Sequence, residues 1–204
     1  MKKNFLYIAA AAVLGFSSCV ELDRIPLEEL SDGSFWKSAT DAEMAVSDLY
    51  PSLPSIYEID DAINSDDAVH GIKWAAGNVS KGIYDPLDMG WSGSYGAIRQ
   101  ANVILSKIDE VPNYETADKN KVLGQTYFFR AFHYFDLIRT FGDVPYIDKP
   151  LTLADQEGIT RAPRAEVYSK MMADFDKAIE YLPTTWDASN YGRITKGAAL
   201  AMKA

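Results

Sequence analysis

The sequence is poor in sulphur, in imidazole and in positive charge. Its 204 residues contain one cysteine and two histidines, which excludes a disulfide framework and argues against a zinc site built from Cys and His. Lys and Arg number 20 against 29 Asp and Glu, for a formal net charge of −9. A nucleic-acid-binding protein needs a basic face to neutralise phosphates, so that class is disfavoured. Apolar residues make up 48% of the chain, enough for the core of one domain or of two small ones.

The single cysteine, Cys19, closes a segment with the composition of a signal peptide. Two lysines precede an apolar run at 5–16, and two serines separate that run from the cysteine. The run is too short to cross a hydrocarbon core of about 30 Å. A cysteine directly after small residues resembles the lipobox of bacterial lipoproteins, where the peptidase cuts before the cysteine and its thiol is diacylated. We therefore expect loss of residues 1–18 and a lipid anchor on Cys19; the alternative is a secreted protein with an incidental cysteine.

Five stretches have the apolar periodicity of amphipathic helices. They begin at Thr40 or Asp41, cover 91–109, 118–140 and 164–182, and resume from Ile194 onward. The last four form two pairs that set small residues against large ones, as tetratricopeptide repeats do, although long loops separate them. The pattern predicts an all-α fold of tetratricopeptide-like helix pairs with long irregular loops. The last helix lacks a stop signal before Ala204, so we expect the sequence to be a fragment of a longer protein.

The helix predicted at 118–140 carries the densest aromatic run of the chain. One stripe at helical spacing, which predicts the face packed in the core, consists of Phe128, Phe132, Phe135 and Ile138, and Phe129 and Leu137 widen it. Gly124 would let another helix approach closely. Arg130 is expected to bury its stem and keep its guanidinium in water. Gly142 stands where a C-cap glycine belongs.

Periodicity is absent from 55–90, a segment rich in aspartate, glycine and aromatic residues. Long irregular segments of compact domains are often functional. A glycan site stacks an aromatic ring on a sugar and surrounds it with carboxylates, amides and cations. The best candidate platform is Trp74, which could instead only pin the loop to the core. The accompanying candidates are Asn78, Asp66, Asp67, Lys73 and Tyr84. Trp91 is a further candidate, although its place at the start of a helix is more typical of a core residue.

Several motifs, in order, resemble the SusD/RagB lipoproteins of Bacteroidota. They are Leu22-Asp23 with Pro26, Phe35-Trp36 with Thr40-Asp41-Ala42, the spacing W-x3-Y-x2-I-x2-A-N from Trp91, the stretch from Gly124 to Pro145, Arg161 and Tyr168 with Asp174 and Leu182-Pro183, and Gly192-Arg193 with Thr195-Lys196-Gly197-Ala198-Ala199. The resemblance implies a helical-repeat lipoprotein at the outer membrane that faces the cell surface. It also implies a SusC-like TonB-dependent transporter as partner and oligosaccharide, or in some members peptide, as ligand. Family members are usually much longer, with a second half that completes the fold.

On this interpretation the chain has three parts. They are a lipoprotein signal peptide at 1–18, an acidic tether and anchor at 19–39, and a SusD-like helical domain at 40–204 that is incomplete at its C-terminus. The resemblance implies no catalysis and no cofactor. Two other classes stay open, a helical scaffold for protein interactions and a surface glycoside hydrolase.

The hydrolase is the weaker of these alternatives. Its two carboxylates must lie about 5 to 9 Å apart across a sugar bond, and neighbours such as Asp66 and Asp67 point in different directions. No calcium-loop motif is present, so no metal ligand is assigned, and calcium binding stays an open alternative. His133 has no nearby serine or cysteine in the sequence, and we expect a core or edge histidine with one hydrogen bond.

Overall fold

The computed structural model describes residues 35–54, 82 and 90–204. In that part of the chain the α-helices are α1 (Ala39–Ser47), α2 (Trp91–Lys107), α3 (Thr116–Phe141), α4 (Arg164–Tyr181) and α5 (Lys196–Lys203). Short 3₁₀ turns lie at Tyr50–Ser52, Ile108–Glu110, Ala154–Gln156 and Ala188–Asn190. Among the described residues, the β-type pairing is a single antiparallel bridge between Val144 and Ala162. The all-α prediction is therefore confirmed, with helix ends within about three residues of those predicted.

The helices pack in the order in which they occur in the chain. Within the compact unit Trp36–Ala204, α2 packs on α3, α3 on α4 and α4 on α5, while α1 lies against α2 and α3. Packing between consecutive helices is typical of helical repeats. The 26 residues of α3 span about 39 Å, and α3 contacts three other helices. None of the described helices is both long and apolar enough to cross a bilayer.

The helix ends follow simple capping chemistry. The N-cap of α1 is Ser38 rather than the expected Thr40 or Asp41. Its hydroxyl accepts from the Asp41 N–H at 3.4 Å, and the Asp41 carboxylate accepts from the Ser38 N–H at 2.8 Å. This reciprocal pair is a capping box, which starts the helix about a turn early. The central helix α3 ends at Phe141, and its C-cap is Gly142, whose φ of +73° confirms the predicted glycine cap.

The aromatic stripe predicted for α3 is wrong in part. Phe128 and Ile138 are buried, but Phe132 is only half-buried and Phe135 is 37% exposed. Phe129 and Leu137, which widen the predicted stripe, are fully buried, and so are Val122, Gln125 and Tyr134, which lie outside it. The reason is that α1, α2 and α4 surround α3 on several sides, so aromatic spacing alone does not identify the side that faces water.

Gly124 is the point of closest approach between α3 and the end of α4. A Cβ built at this glycine would lie 3.0 Å from the Cγ and the backbone nitrogen of Leu182, and 3.1 Å from the Cβ of Tyr181. These distances are tighter than ordinary contacts, so only glycine fits without a shift of the neighbouring backbone. The close approach expected at Gly124 is confirmed.

Arg130 departs from expectation, because its guanidinium is buried. The residue is 7% exposed and donates twice to the Asp174 carboxylate, at 2.7 Å for both bonds. A third bond, 2.8 Å long, goes to the Asn102 side-chain oxygen. Asn102 in turn donates to the Ile147 carbonyl at 2.9 Å. The network ties α2, α3, α4 and the loop after α3 together, a long-range pairing that helical spacing does not reveal.

Candidate functional site

Most of the residues singled out from the sequence lie outside the described part of the chain. This holds for the lipidation site and for the main glycan candidates, namely Cys19, Trp74, Asn78, Asp66, Asp67, Lys73 and Tyr84. Their roles stay predictions. Trp91 is the exception, and the structure places it at the first position of α2.

Trp91 packs between two helices. Its half-buried ring lies 4.9 Å, centroid to centroid, from the rings of both Tyr95 and Phe141. The Tyr95 hydroxyl donates to the Pro145 carbonyl at 2.7 Å. These contacts join the start of α2 to the end of α3 and give Trp91 a packing role. Contact with a ligand stays a prediction for this residue.

A cleft of about 530 Å³ lies between the start of α2, the second half of α3 and the turn after α1. We call it the α2–α3 cleft. Pro54, directly before the candidate segment in sequence, and Gly90, its last residue, both line the cleft. Its other lining residues include Ser52, Ser94, Phe132, His133, Phe135, Asp136, Arg139 and Met202. The segment predicted to bind glycan is thus joined at both ends to a described cleft with aromatic and polar walls.

The side chains of α3 give the cleft a mixed surface of donors, acceptors and ring edges. The Arg139 guanidinium carbon lies 5.8 Å from the Phe135 ring centroid. Arg139 also donates to the Asp136 carboxylate at 2.8 Å. The Ser94 hydroxyl approaches the other Asp136 oxygen at 3.5 Å, at the limit of a hydrogen bond. Sugar hydroxyls can donate to such a carboxylate and accept from such a cation, while ring CH groups pack on an aromatic side chain.

His133 and Ser52 form a hydrogen-bonded pair at one side of the cleft. His133 Nε2 lies 2.9 Å from the Ser52 hydroxyl, which itself donates to the Leu49 carbonyl at 2.6 Å. Burial lowers the pKa of His133 to about 4, against a smaller opposing effect of Asp136. The imidazole is therefore neutral near pH 7, and its Nε2–H donates to a serine whose own proton is committed. The prediction of one hydrogen bond for His133 is confirmed, and the pair stabilises the turn rather than forming a nucleophile.

The sequence pattern did not predict that side chains of α3 line this cleft. Asp136 and Arg139 lie three positions apart, a spacing that pairs charges on any exposed helix face. Nothing in that spacing marks a site. Ser52 is 81 positions from His133, so only the fold brings them together. Among the described residues, no group of three His, Cys, Asp or Glu side chains is arranged to hold a metal ion.

Comparison with known proteins identifies the family. Residues 33–204 match a SusD-like family model described as "Starch-binding associating with outer membrane". The chain belongs to the SusD-like family. A SusD-like protein of Formosa agariphila is 30% identical over 197 residues, which are 90% of this chain and 39% of that protein. A SusD-like protein of Bacteroides ovatus is 25% identical over 210 residues, which are 98% of this chain and 38% of that protein.

Solved SusD-like structures share the helical arrangement. A SusD-like protein from Bacteroides fragilis superposes with a TM-score of 0.73 at 29% identity, covering 88% of this chain and 36% of its own. A laminarin-binding SusD-like protein superposes with a TM-score of 0.72 at 25% identity, and the match covers 82% of this chain and 39% of that protein. The tetratricopeptide-like fold is thus that of the SusD-like family. The chain spans about two fifths of the length of the curated relatives it matches.

Proposed function

We propose that this SusD-like chain belongs to a surface lipoprotein that captures oligosaccharide and delivers it to a SusC-like TonB-dependent transporter of the outer membrane. The observation that carries the proposal is the family match across residues 33–204, to a model described as starch-binding and outer-membrane-associated. A relative of similar fold is named as laminarin-binding. The function needs a rigid support for ligand-binding loops. A helical repeat whose helices are joined by buried hydrogen bonds and an ion pair supplies that support.

Each part of the chain has a proposed role. Residues 1–18 direct export and are removed, Cys19 carries the acyl chains, and 19–39 tether the helical domain at 40–204 to the membrane. One acyl chain gives only marginal membrane binding, so stable anchoring depends on the two or three chains of a bacterial lipoprotein. Both the anchor and the surface orientation belong to the proposal.

Ligand contact is assigned to the segment 55–90 and to the α2–α3 cleft. Trp74 is the proposed stacking platform, with the polar candidates Asn78, Asp66, Asp67 and Lys73 and the aromatic Tyr84 around it. From α3, Phe135 offers a partly exposed ring edge, and the Asp136–Arg139 pair offers an acceptor and a donor. A sugar ring needs this combination, because it has apolar CH faces and a polar rim.

The proposed function is non-catalytic. Glycoside hydrolysis uses two carboxyl groups flanking the scissile bond, whereas Asp136 is the one carboxylate among the described residues that line the cleft. Ser52 is not activated, since its proton goes to a backbone carbonyl. In this proposal, capture and delivery of the oligosaccharide require only binding, a conformational change of the complex with the transporter, and release.

Calorimetry on the full-length protein tests capture. We expect a soluble neutral glucan such as laminarin, or another member of a defined glycan panel, to bind the unaltered protein. Trp74→Ala should weaken that binding about fivefold or more, because stacking on one aromatic ring is worth about 1–3 kcal/mol. Tyr168→Ala removes a 50% exposed aromatic residue of α4 outside the cleft and should leave affinity unchanged. No binding by any panel glycan would contradict the proposal.

The alternative is a peptide-binding or scaffolding role for the helices. Two exposed apolar side chains favour it, Tyr168 on α4 at 50% and Leu200 on α5 at 51%. In that case Tyr168→Glu should abolish assembly with a partner, while Trp74→Ala leaves both assembly and ligand uptake intact. Co-purification of the two variants separates the alternatives.

A further inference from the structure

A small apolar pocket of about 210 Å³ lies between α2 and the linker that joins α3 to α4 (142–163). We call it the linker pocket. Its lining residues, three from α2 and three from the linker, are Tyr95, Ile98, Arg99, Ile147, Lys149 and Leu151. None of them lines the α2–α3 cleft, so the pocket and the cleft are different sites.

The surface of the linker pocket is almost wholly apolar. The Tyr95 hydroxyl is used by the Pro145 carbonyl at 2.7 Å, and the Ile147 backbone is bonded to the Tyr134 hydroxyl at 2.6 and 2.9 Å. These bonds fix the walls and leave few polar groups for a ligand, which makes the pocket a poor site for a sugar or an ion. Since an apolar cavity of about 150 Å³ can hold benzene, there is room for one aromatic or branched aliphatic side chain.

Positive charge borders this apolar surface, although the chain as a whole has a net charge of −9. The two charged lining residues, Arg99 and Lys149, are both cations, and no carboxylate lines the pocket. Lys149 is paired with Asp155 at 2.6 Å. Arg99 is exposed and makes no ion pair within residues 35–54 and 90–204. Its guanidinium is therefore available to a carboxylate of another molecule, which it can bind through two parallel hydrogen bonds.

Arg161 adds a second unpaired cation near the pocket. The next residue, Ala162, donates its backbone N–H to the Val144 carbonyl at 3.0 Å, which brings this end of the linker to the stretch that holds the Tyr95 hydroxyl. Burial raises the pKa of the Tyr95 phenol, and Arg161 is the charged group that acts against this shift. Such an effect weakens with distance, so the guanidinium lies close to Tyr95. Arg161 is exposed and has no ion-pair partner in the described part of the chain.

The linker also exposes an apolar side chain directly beside the pocket. Leu153, two positions after the lining residue Leu151, is 85% exposed. The linker between them is held in shape by Asp155, which accepts from the Lys149 ammonium and from the Thr152 hydroxyl, both at 2.6 Å. A pocket for one apolar side chain, an exposed leucine and unpaired arginines are the components of a protein–protein contact surface.

We propose that the linker pocket is a docking point for a partner protein. It takes one aromatic or large aliphatic side chain from an acidic segment of that partner, whose flanking Asp or Glu side chains bond to Arg99 and Arg161. A basic segment would be repelled by these two arginines, and a neutral segment would leave both without a partner. The net negative charge of the rest of the chain disfavours other contacts with an acidic segment, which restricts its docking to this surface.

The test is calorimetry of the full-length protein with short peptides that are blocked at both ends. The acidic set places Phe, Leu or Trp between Asp and Glu residues. Matched sets replace the acids by Asn and Gln or by Lys, or replace the apolar residue by Ala. We expect at least one acidic peptide to bind, several-fold more weakly with neutral flanks or in added salt, and no binding of the basic and Ala sets.

Two results would overturn the proposal. The first is binding that does not depend on the charge of the flanking residues. The second is no binding by any acidic peptide. Vesicles of anionic phospholipid are a further probe, because unpaired arginines beside apolar side chains could also meet a membrane surface. Binding of these vesicles without binding of any acidic peptide would mean that the surface meets lipid and not a protein.

Charge reversal tests the role of the arginine at the pocket. Arg99→Glu should weaken binding of the acidic peptide about tenfold, because it places a like charge opposite the peptide carboxylates. The same change should allow the Lys-flanked peptide to bind. Lys37→Glu makes an equal change of net charge at an exposed residue that does not line the pocket, and it should have no effect. Equal affinities in the two variants would contradict docking at Arg99.

A wall residue tests the apolar part of the contact. Leu151→Ser should weaken binding of every acidic peptide, since it removes an aliphatic wall of the pocket. Tyr191→Ser removes a 91% exposed side chain of another loop and should leave the affinity unchanged. Both changes lie outside helices, and the melting temperature of each variant shows whether the fold is intact. Unchanged affinity in a folded Leu151→Ser variant would place the peptide elsewhere and contradict the proposal.

Docking at the linker pocket is independent of glycan capture. Arg99→Glu should leave glycan binding unchanged, and Trp74→Ala should leave peptide binding unchanged. If a glycan binds and no acidic peptide does, glycan capture stands and docking at the pocket fails. If an acidic peptide binds in the manner expected and no glycan does, docking stands and glycan capture fails.

Discussion

At the scale of single residues, the Arg130–Asp174 pair shows how polar chemistry fixes the relative placement of helices. Both side chains are more than nine-tenths buried, at 9% and 7% exposure. Burial raises the pKa of the Asp174 carboxyl, and the hydrogen bonds from Arg130 act against that shift. Two parallel bonds to one carboxylate define an orientation that apolar packing alone does not. The pair also positions Asn102, and through it the loop that follows α3.

Arg130→Met should destabilise the protein by about 3–5 kcal/mol, because it leaves Asp174 charged, buried and unpaired. Arg139→Met is the matched control, since Arg139 is 53% exposed and pairs with Asp136 at the surface. Its cost should be below about 1 kcal/mol. Urea unfolding at pH 7 measures both values. Similar costs for the two variants would mean that the buried pair contributes no more than a surface pair.

His133 should make stability depend on pH between about 6.5 and 4. Its pKa is lowered from 6.5 to about 4 in the folded protein, so the unfolded chain takes up the proton first. The stabilisation is fully present above pH 6.5 and is lost as the pH falls towards 4, by roughly 3 kcal/mol in total. His133→Gln keeps a donor to Ser52 but does not titrate. Urea unfolding across this window should show that much weaker pH dependence in the variant; parallel curves would contradict the burial of a neutral imidazole.

At the scale of elements, α3 shows what a sequence pattern can and cannot predict. Its extent, its central position and its end at Gly142 follow from apolar periodicity and capping chemistry. Its exposed side does not, because three helices cover α3 and the aromatic residues lie all around it. Phe135 was expected in the core and is instead 37% exposed at the α2–α3 cleft. The buried ion pair of Arg130 was missed for a related reason, since its partner lies 44 positions away.

The contact of α3 with the end of α4 gives a prediction at the same scale. Gly124→Ala should destabilise by about 1–3 kcal/mol, because the new methyl group would meet the backbone of Leu182 at 3.0 Å. Gly96→Ala in α2 is the control, since nothing lies within 4 Å of its Cβ position. That change should stabilise by about 0.5–1 kcal/mol through helix propensity. Thermal unfolding of both variants checks the signs, and a gain in both would refute the close approach.

At the scale of the whole molecule, the sequence predicts the scaffold more completely than the site. Repeating apolar spacing encodes each helix locally, and ordered motifs identify the SusD-like family. A binding site depends on residues brought together from distant positions, as Ser52, Ser94 and Asp136 are in the α2–α3 cleft. Composition could nominate the segment 55–90 as a glycan-site candidate, but it could not indicate that Phe135 lines a cleft. In the proposed function the helices therefore have a supporting role, and the loops and clefts between them contact the ligand.

Binding of a fluorescent oligosaccharide to intact cells tests that account most directly. Cells would produce the full-length protein unaltered, as Trp74→Ala or as Cys19→Ser, with surface protein measured by antibody. We expect strong surface labelling with the unaltered protein and loss of labelling at equal surface protein with Trp74→Ala. We expect loss of surface protein itself with Cys19→Ser, because that change removes the acylated thiol. Equal labelling by all three would contradict a lipid-anchored protein that captures glycan through its loops.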